Sequence, residues 1–200
     1  KGAVGMTGSS TVINRYSNMT IWAGNSVDIG NSAAMSTYLR TQGTDASDFT
    51  DAQLMDATSN NPPNAQKISS TRLGNGVDVV DNDPNLANLT GDQFFRNFFS
   101  GTKAEMESMA ADIGQRFVSD GSNISATLSG LEGVIWVEGN ARLTSQIQIG
   151  TLRDPAIVII KGNLAFNGPT IYGLLYVVGQ LDVAGNATVI GSSIVEGDPT

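Results

Sequence analysis

The chain has no cysteine and no histidine. Without cysteine there is no disulfide, no thiolate nucleophile and no zinc–thiolate site. Without histidine the usual general base and the commonest transition-metal ligand are gone. Basic residues are few: 11 Lys and Arg stand against 19 Asp and Glu in 200 residues, a formal charge of −8. That balance disfavours a nucleic-acid backbone or an anionic membrane surface as the main partner. Long apolar runs are missing too. The longest, Ala156–Ile160 and Leu174–Val178, fall far short of the ~20 residues that span a bilayer. No signal peptide is visible and the chain opens at Lys1 without a methionine; it reads as an excised ectodomain or mature fragment.

What is present is small and β-compatible. Charged residues make up 15% and glycine contributes 23 positions, which suits short strands and tight turns better than a helical bundle. The last seventy residues carry a six-residue repeat. It runs Ile171-Tyr172-Gly173, Val177-Val178-Gly179, Val183-Ala184-Gly185, Val189-Ile190-Gly191 and Val195-Glu196-Gly197. With one register slip it continues upstream through Gly162 and Gly168. Beyond an insertion at Thr151–Pro155 it reappears at Gly133, Gly139 and Gly150. A period of six is not helical. It predicts a mainly β chain: a triangular parallel β-solenoid of about 18 residues per coil, with the first residue of each six inward and glycine at the corner. Ile171, Val177, Val183 and Val189 are then core residues.

The same lettering occurs at the N-terminus. Met6-Thr7-Gly8-Ser9-Ser10-Thr11-Val12-Ile13 parallels Val183-Ala184-Gly185-Asn186-Ala187-Thr188-Val189-Ile190, and Thr20-Ile21-Trp22 parallels Val134-Ile135-Trp136. The organisation expected is therefore solenoid coils over 1–35, an inserted subdomain over 36–130 and further coils over 131–200. The Trp22 coil is expected directly against the Trp136 coil. The insertion is acidic, with 12 of the 19 acidic residues, and partly helical. A short helix is expected over 48–57, and another, capped by Thr90, carries Phe94, Phe95, Phe98 and Phe99. Thr102-Lys103-Ala104-Glu105 is a capping box opening a helix with Met106, Met109, Ala110, Ile113 and Phe117 on its apolar side. That side should pack on the flank or end of the solenoid, because so small a helix pair cannot bury it alone.

Motifs for chemistry are sparse. Asp81, Asp83 and Asn85 resemble the start of a calcium loop with Asp92 at the twelfth position. Leu86 stands where the turn needs glycine and Pro84 fits poorly, so a solvated turn is the better reading. Gly74-Asn75-Gly76 lacks the Gly-Lys-Ser/Thr of a phosphate loop and reads as a turn into a strand at Val77–Val80. Carboxylates alone can run glycosidase chemistry when two face each other, but Glu138, Asp182 and Glu196 stand apart in the repeat. No catalytic or cofactor-binding residue is expected. Sequons at Asn18, Asn88, Asn123 and Asn186 are what so Asn-rich a chain produces by chance.

Three stretches carry a family resemblance: Phe98-Phe-Ser-Gly-Thr-Lys-Ala-Glu105, Gly133-Val-Ile-Trp-Val-Glu-Gly139, and Gly162 to Gly179 (Gly-Asn-Leu-Ala-Phe-Asn-Gly-Pro-Thr-Ile-Tyr-Gly-Leu-Leu-Tyr-Val-Val-Gly). Together they resemble the ectodomains of PilX-type minor pilins, accessory proteins of Gram-negative type IV pili. The resemblance implies a non-catalytic extracellular or periplasmic module in pilus biogenesis, adhesion or surface sensing. Its partners would be other pilus subunits or assembly proteins. The membrane anchor would be an N-terminal helix absent from this chain. The glycine repeat by itself is also similar to bactofilins, which implies a filament-forming solenoid as an alternative. A tip-located binding module, for DNA uptake or for glycans, is another; for DNA, Arg142, Arg153 and Lys161 are the candidate basic face.

Overall fold

A computed structural model describes residues 4–6, 11–14, 19–30, 34–37, 50, 52, 69, 71, 74 and 76–197. The fold is mainly β, with parallel strands in sheets and few helices. Five strands lie near the N-terminus: β1 (Val4–Met6), β2 (Thr11–Asn14), β3 (Ile21–Trp22), β4 (Val27–Ile29) and β5 (Ala34–Thr37). The middle of the chain holds β6 (Val79–Val80), α1 (Pro84–Ala87), α2 (Gly91–Arg96), α3 (Lys103–Asp112), β7 (Arg116–Val118) and α4 (Ser125–Leu128). The last third is strand after strand: β8 (Gly133–Glu138), β9 (Ala141–Leu143), β10 (Gln148–Ile149), β11 (Ala156–Ile160), β12 (Leu164–Asn167), β13 (Thr170–Val177), β14 (Leu181–Ala184) and β15 (Thr188–Val195).

The strands form two larger sheets, ordered β4-β1-β14-β12-β9 and β5-β2-β15-β13-β11-β8-β7, and β3 pairs with β6. Among the described residues all pairs of these named strands run parallel, and the register follows the repeat. Ile171 faces Val189 and Gly173 faces Gly191, eighteen positions on. Val134 faces Ile157 at a longer step of 23, because the additional residues of Thr151–Pro155 fall between those two strands.

Alternation along each strand sends one set of side chains between the two sheets. Ile135, Val158 and Leu175 from one sheet meet Leu143 and Phe166 from the other, all of them buried. Of the four expected core positions, Ile171, Val177 and Val189 are buried, while Val183 is half-buried at the side of a small cavity. Neighbours of the inward residues are not uniformly exposed, since Tyr176 and Val178 are covered from outside by the helices.

The N-terminal strands correct one expectation. Met6 faces Val183, Val12 faces Val189 and Ile13 faces Ile190, so the lettering match found in the sequence is itself a pairing. The strands near the N-terminus therefore add to the β14 and β15 edges, at the end of the array remote from β7. Trp22 does not adjoin Trp136: its strand β3 pairs with β6, whereas β8 lies between β7 and β11. The similarity around the two tryptophans reflects local strand character and sets no register.

The helices begin where their caps predict. Thr90 and Gln93 form one capping box. Thr102 and Glu105 form another, the Glu105 carboxylate accepting from the Thr102 N–H at 2.6 Å. The helix from Thr102 ends sooner than its apolar spacing suggests. Gly114 adopts φ 73° and the Gln115 N–H closes on the Ala110 carbonyl at 2.7 Å, a glycine stop that sends Phe117 into β7. The helix expected over 48–57 lies almost wholly outside the described residues.

Candidate functional site

The most elaborate side-chain arrangement lies where α2 and α3 cross the outer surface of β8, β11, β13 and β15. In register across these strands stand Trp136, Ile159, Tyr176 and Ile194. Phe94, Phe95, Phe99, Met106 and Ala110 cover them. Tyr176 is the hub: its ring meets Phe95 edge-on at 5.0 Å and Phe99 at 5.5 Å, and Phe95 stacks on Phe99 at 4.4 Å. Edge-on contacts suit the ring quadrupole and add to the burial itself. Met109, Ile113 and Phe98 belong to the same apolar pattern but remain exposed.

Beneath this cover sits a buried carboxylate. Glu196 is 1% exposed. It accepts from the Tyr176 hydroxyl at 2.5 Å and is ion-paired with Lys103 Nζ at 2.7 Å. A buried charge is tolerable when paired and hydrogen-bonded, and this pair joins the first turn of α3 to the end of β15. Lys103 also lies 3.7 Å from Asp92 and 5.8 Å from the Phe95 ring centroid.

Beside it is a cavity of about 290 Å³ lined by Asp92, Arg96, Lys103, Glu107, Trp136 and Lys161 among others. Its charges are largely matched: Lys161 pairs with Glu138 at 2.8 Å, and Arg116 donates to Glu107 at 2.7 Å. Burial pushes the Glu138 carboxyl up, but hydrogen bonds from Lys161 and from Trp136 Nε1 outweigh it. The net position is below the usual carboxylate range. The arrangement is suited to fixing helices on a sheet in one register, since the buried carboxylate and tyrosine do not line the open cavity.

A second buried carboxylate holds the N-terminal strands. Asp78 is 0% exposed and accepts from Thr37 Oγ1 at 2.7 Å, while Thr37 and Thr20 hydroxyls lie 2.6 Å apart. The Asp78 carbonyl takes the Thr20 N–H at 2.7 Å. Sequence reasoning missed both carboxylates. A Glu in a repeat and an Asp before a strand look like surface residues until tertiary structure buries them.

Of the calcium candidates, Asp83 is occupied otherwise. One oxygen caps α1 through the Asn85 and Leu86 N–H groups and the other accepts from Trp22 Nε1 at 2.8 Å. The Trp22 hydrogen bond is the main influence drawing its carboxyl below the ordinary range; desolvation opposes it, and the two backbone bonds add to the lowering. Asp81 and Asn85 lie either side of it, before and within α1. Among the described residues no group of three or more acidic side chains converges as a metal would need. Arg142 is on β9, Arg153 in the segment before β11 and Lys161 just after β11, so they do not share one strand, and Lys161 is engaged by Glu138.

No family model, curated protein or solved structure matches the chain.

Proposed function

We propose that this chain is the non-catalytic ectodomain of a PilX-type minor pilin or pilus assembly protein, built as a triangular parallel β-solenoid with an α-containing insertion on its flank. The observation that carries the reading is convergence. The three stretches that resemble the family are far apart in sequence, yet they meet: Phe99 belongs to one cluster with Trp136 and Tyr176. Register steps of about one hexapeptide triplet, Thr170 to Thr188 and Ile171 to Val189, support the solenoid. Work in pilus biogenesis, adhesion or surface sensing requires a stiff body and a presented surface, and stacked strands with a clamped helical flank supply both. The partners are other pilus subunits or assembly proteins. The location is extracellular or periplasmic, with anchorage through an N-terminal helix.

The test is fractionation of the source bacterium carrying a tagged full-length gene. The protein is expected in the sheared pilus fraction, dependent on prepilin processing, with piliation falling when the gene is deleted. A protein confined to the cytoplasm in cells of unchanged piliation overturns the reading.

A further inference from the structure

On the outer surface of the strands, outside the charged flank, two hollows meet at Tyr172 and form one trough. The first, about 410 Å³, is lined by Gln146, Gln148, Thr170, Tyr172 and Asn186 among others. The second, about 450 Å³, has Leu152, Arg153, Pro155, Tyr172, Leu174 and Ile190 in its lining. Two glycines sit in the second half of this trough. Gly173 and Gly191 face each other in the register at φ 124° and 144°. A Cβ on Gly173 would lie 2.1 Å from the Ala156 carbonyl oxygen, and one on Gly191 would lie 1.9 Å from that of Gly173. The adjacent strands therefore approach each other here through bare backbone, which leaves no room for a side chain at either glycine.

One wall is the Thr151–Pro155 segment. It is held up by its own turn: the Thr151 N–H reaches the Asp154 carbonyl at 2.9 Å and the Asp154 N–H reaches Thr151 Oγ1 at 2.8 Å. The first hollow presents three carboxamides, Gln146, Gln148 and Asn186, all exposed. Gln148 is oriented by donating to the Gly150 carbonyl at 3.0 Å.

We infer that this trough binds a neutral glycan. Each carboxamide both donates and accepts, which matches hydroxyl groups that do the same. The second hollow offers Leu152, Pro155, Leu174 and Ile190 to the apolar face that a sugar ring presents. Small-molecule sites commonly combine an apolar wall with a few placed polar groups. Charge argues against an ionic ligand: in a chain with 30 charged residues, Arg153 is the one charged residue among the described residues that line the two hollows. A peptide strand is disfavoured because β13 lies between β11 and β15 and is hydrogen-bonded to both, leaving no open edge there for strand addition.

The test is a printed array of neutral, sialylated and sulfated oligosaccharides, probed with the purified chain and with the Gln148→Ala/Asn186→Ala variant. The expected result is a signal on neutral glycans that the soluble sugar competes away. The double variant should weaken it at least about tenfold, the loss of two or more hydrogen bonds, with its thermal melt unchanged. A Glu107→Ala control on the helical flank should bind as the parent does. No signal on neutral glycans, a signal restricted to charged glycans, or a signal unchanged in the double variant overturns the proposal. The outcome is independent of pilus fractionation, so either reading can fail alone.

Discussion

The strands at the two ends of the chain use one repeat but are packed differently. In the C-terminal set, Ile135, Val158, Leu143 and Leu175 are wholly buried and a helical layer seals the outside of one sheet. In the N-terminal set, Met6, Ile21, Ile29, Met35 and Val79 form a separate cluster, each still 4–8% exposed. A cavity of about 50 Å³ remains where the two sets meet, walled by Met6, Trp22, Phe166, Val183 and Ser193 among others. Pairing of the backbone is the same in both sets. What differs is the supply of side chains on each side of the strands, and tight packing depends on that supply.

That difference can be broken first in the well-packed set. Phe95→Ala removes the ring stacked on Phe99 and set against Tyr176; it is expected to cost about 3–5 kcal/mol in urea unfolding. Met6→Ala, at the cavity, should cost about 2 kcal/mol, the low end for such truncations. Equal losses would mean that the two sets are equally well packed.

Gly173→Ala comes next, forcing a Cβ against the Ala156 carbonyl at φ 124°. A loss of about 3 kcal/mol is expected, comparable to other strained backbone sites, and a wild-type melting temperature would show that the register slides freely there. Lys103→Met leaves the Glu196 carboxylate buried with the Tyr176 hydroxyl alone, at a cost of about 3 kcal/mol. Adding Glu196→Gln should restore most of this, because the amide still accepts from Tyr176 and carries no charge. A double variant as unstable as the single would contradict the ion-pair account.

The smallest effect is a gain. Ser193 faces Leu175 in register and borders the small cavity, so it is a polar, short residue at an inward position. Ser193→Val should stabilise by about 1 kcal/mol through filling, seen as a higher urea midpoint with the same slope. A destabilised variant would show that the space is needed.

The parallel β character was legible because the period of six recurs with β-branched residues and glycine in step. The Met6–Ile13 lettering was read only as the same repeat, and the structure shows it to be a pairing with Val183–Ile190. The two capping boxes were legible because Thr-x-x-Gln and Thr-x-x-Glu satisfy the first helical N–H groups locally. The place of Trp22 was not. Three similar letters, Thr-Ile-Trp against Val-Ile-Trp, carry too little information to fix a partner, and β3 instead pairs with β6, with Asp83 fastening Trp22. The end of α3 was misplaced because helical spacing continued through Phe117, while Gly114 stopped the backbone. The buried carboxylates of Glu196 and Asp78 were invisible, since their partners Lys103, Tyr176 and Thr37 come from distant segments.

The central claim is that the N-terminal strands extend the C-terminal array at β14 and β15. Gly5 and Asp182 face each other there on the exposed side, at the ~4.8 Å spacing of neighbouring strands, within disulfide range. The chain has no cysteine of its own, so a Gly5→Cys/Asp182→Cys variant gives an unambiguous reading by mass and gel mobility after mild oxidation. The account predicts rapid, intramolecular closure in that variant and none in Trp22→Cys/Trp136→Cys. Closure of the tryptophan pair, with the Gly5 and Asp182 positions remaining free thiols, would contradict it.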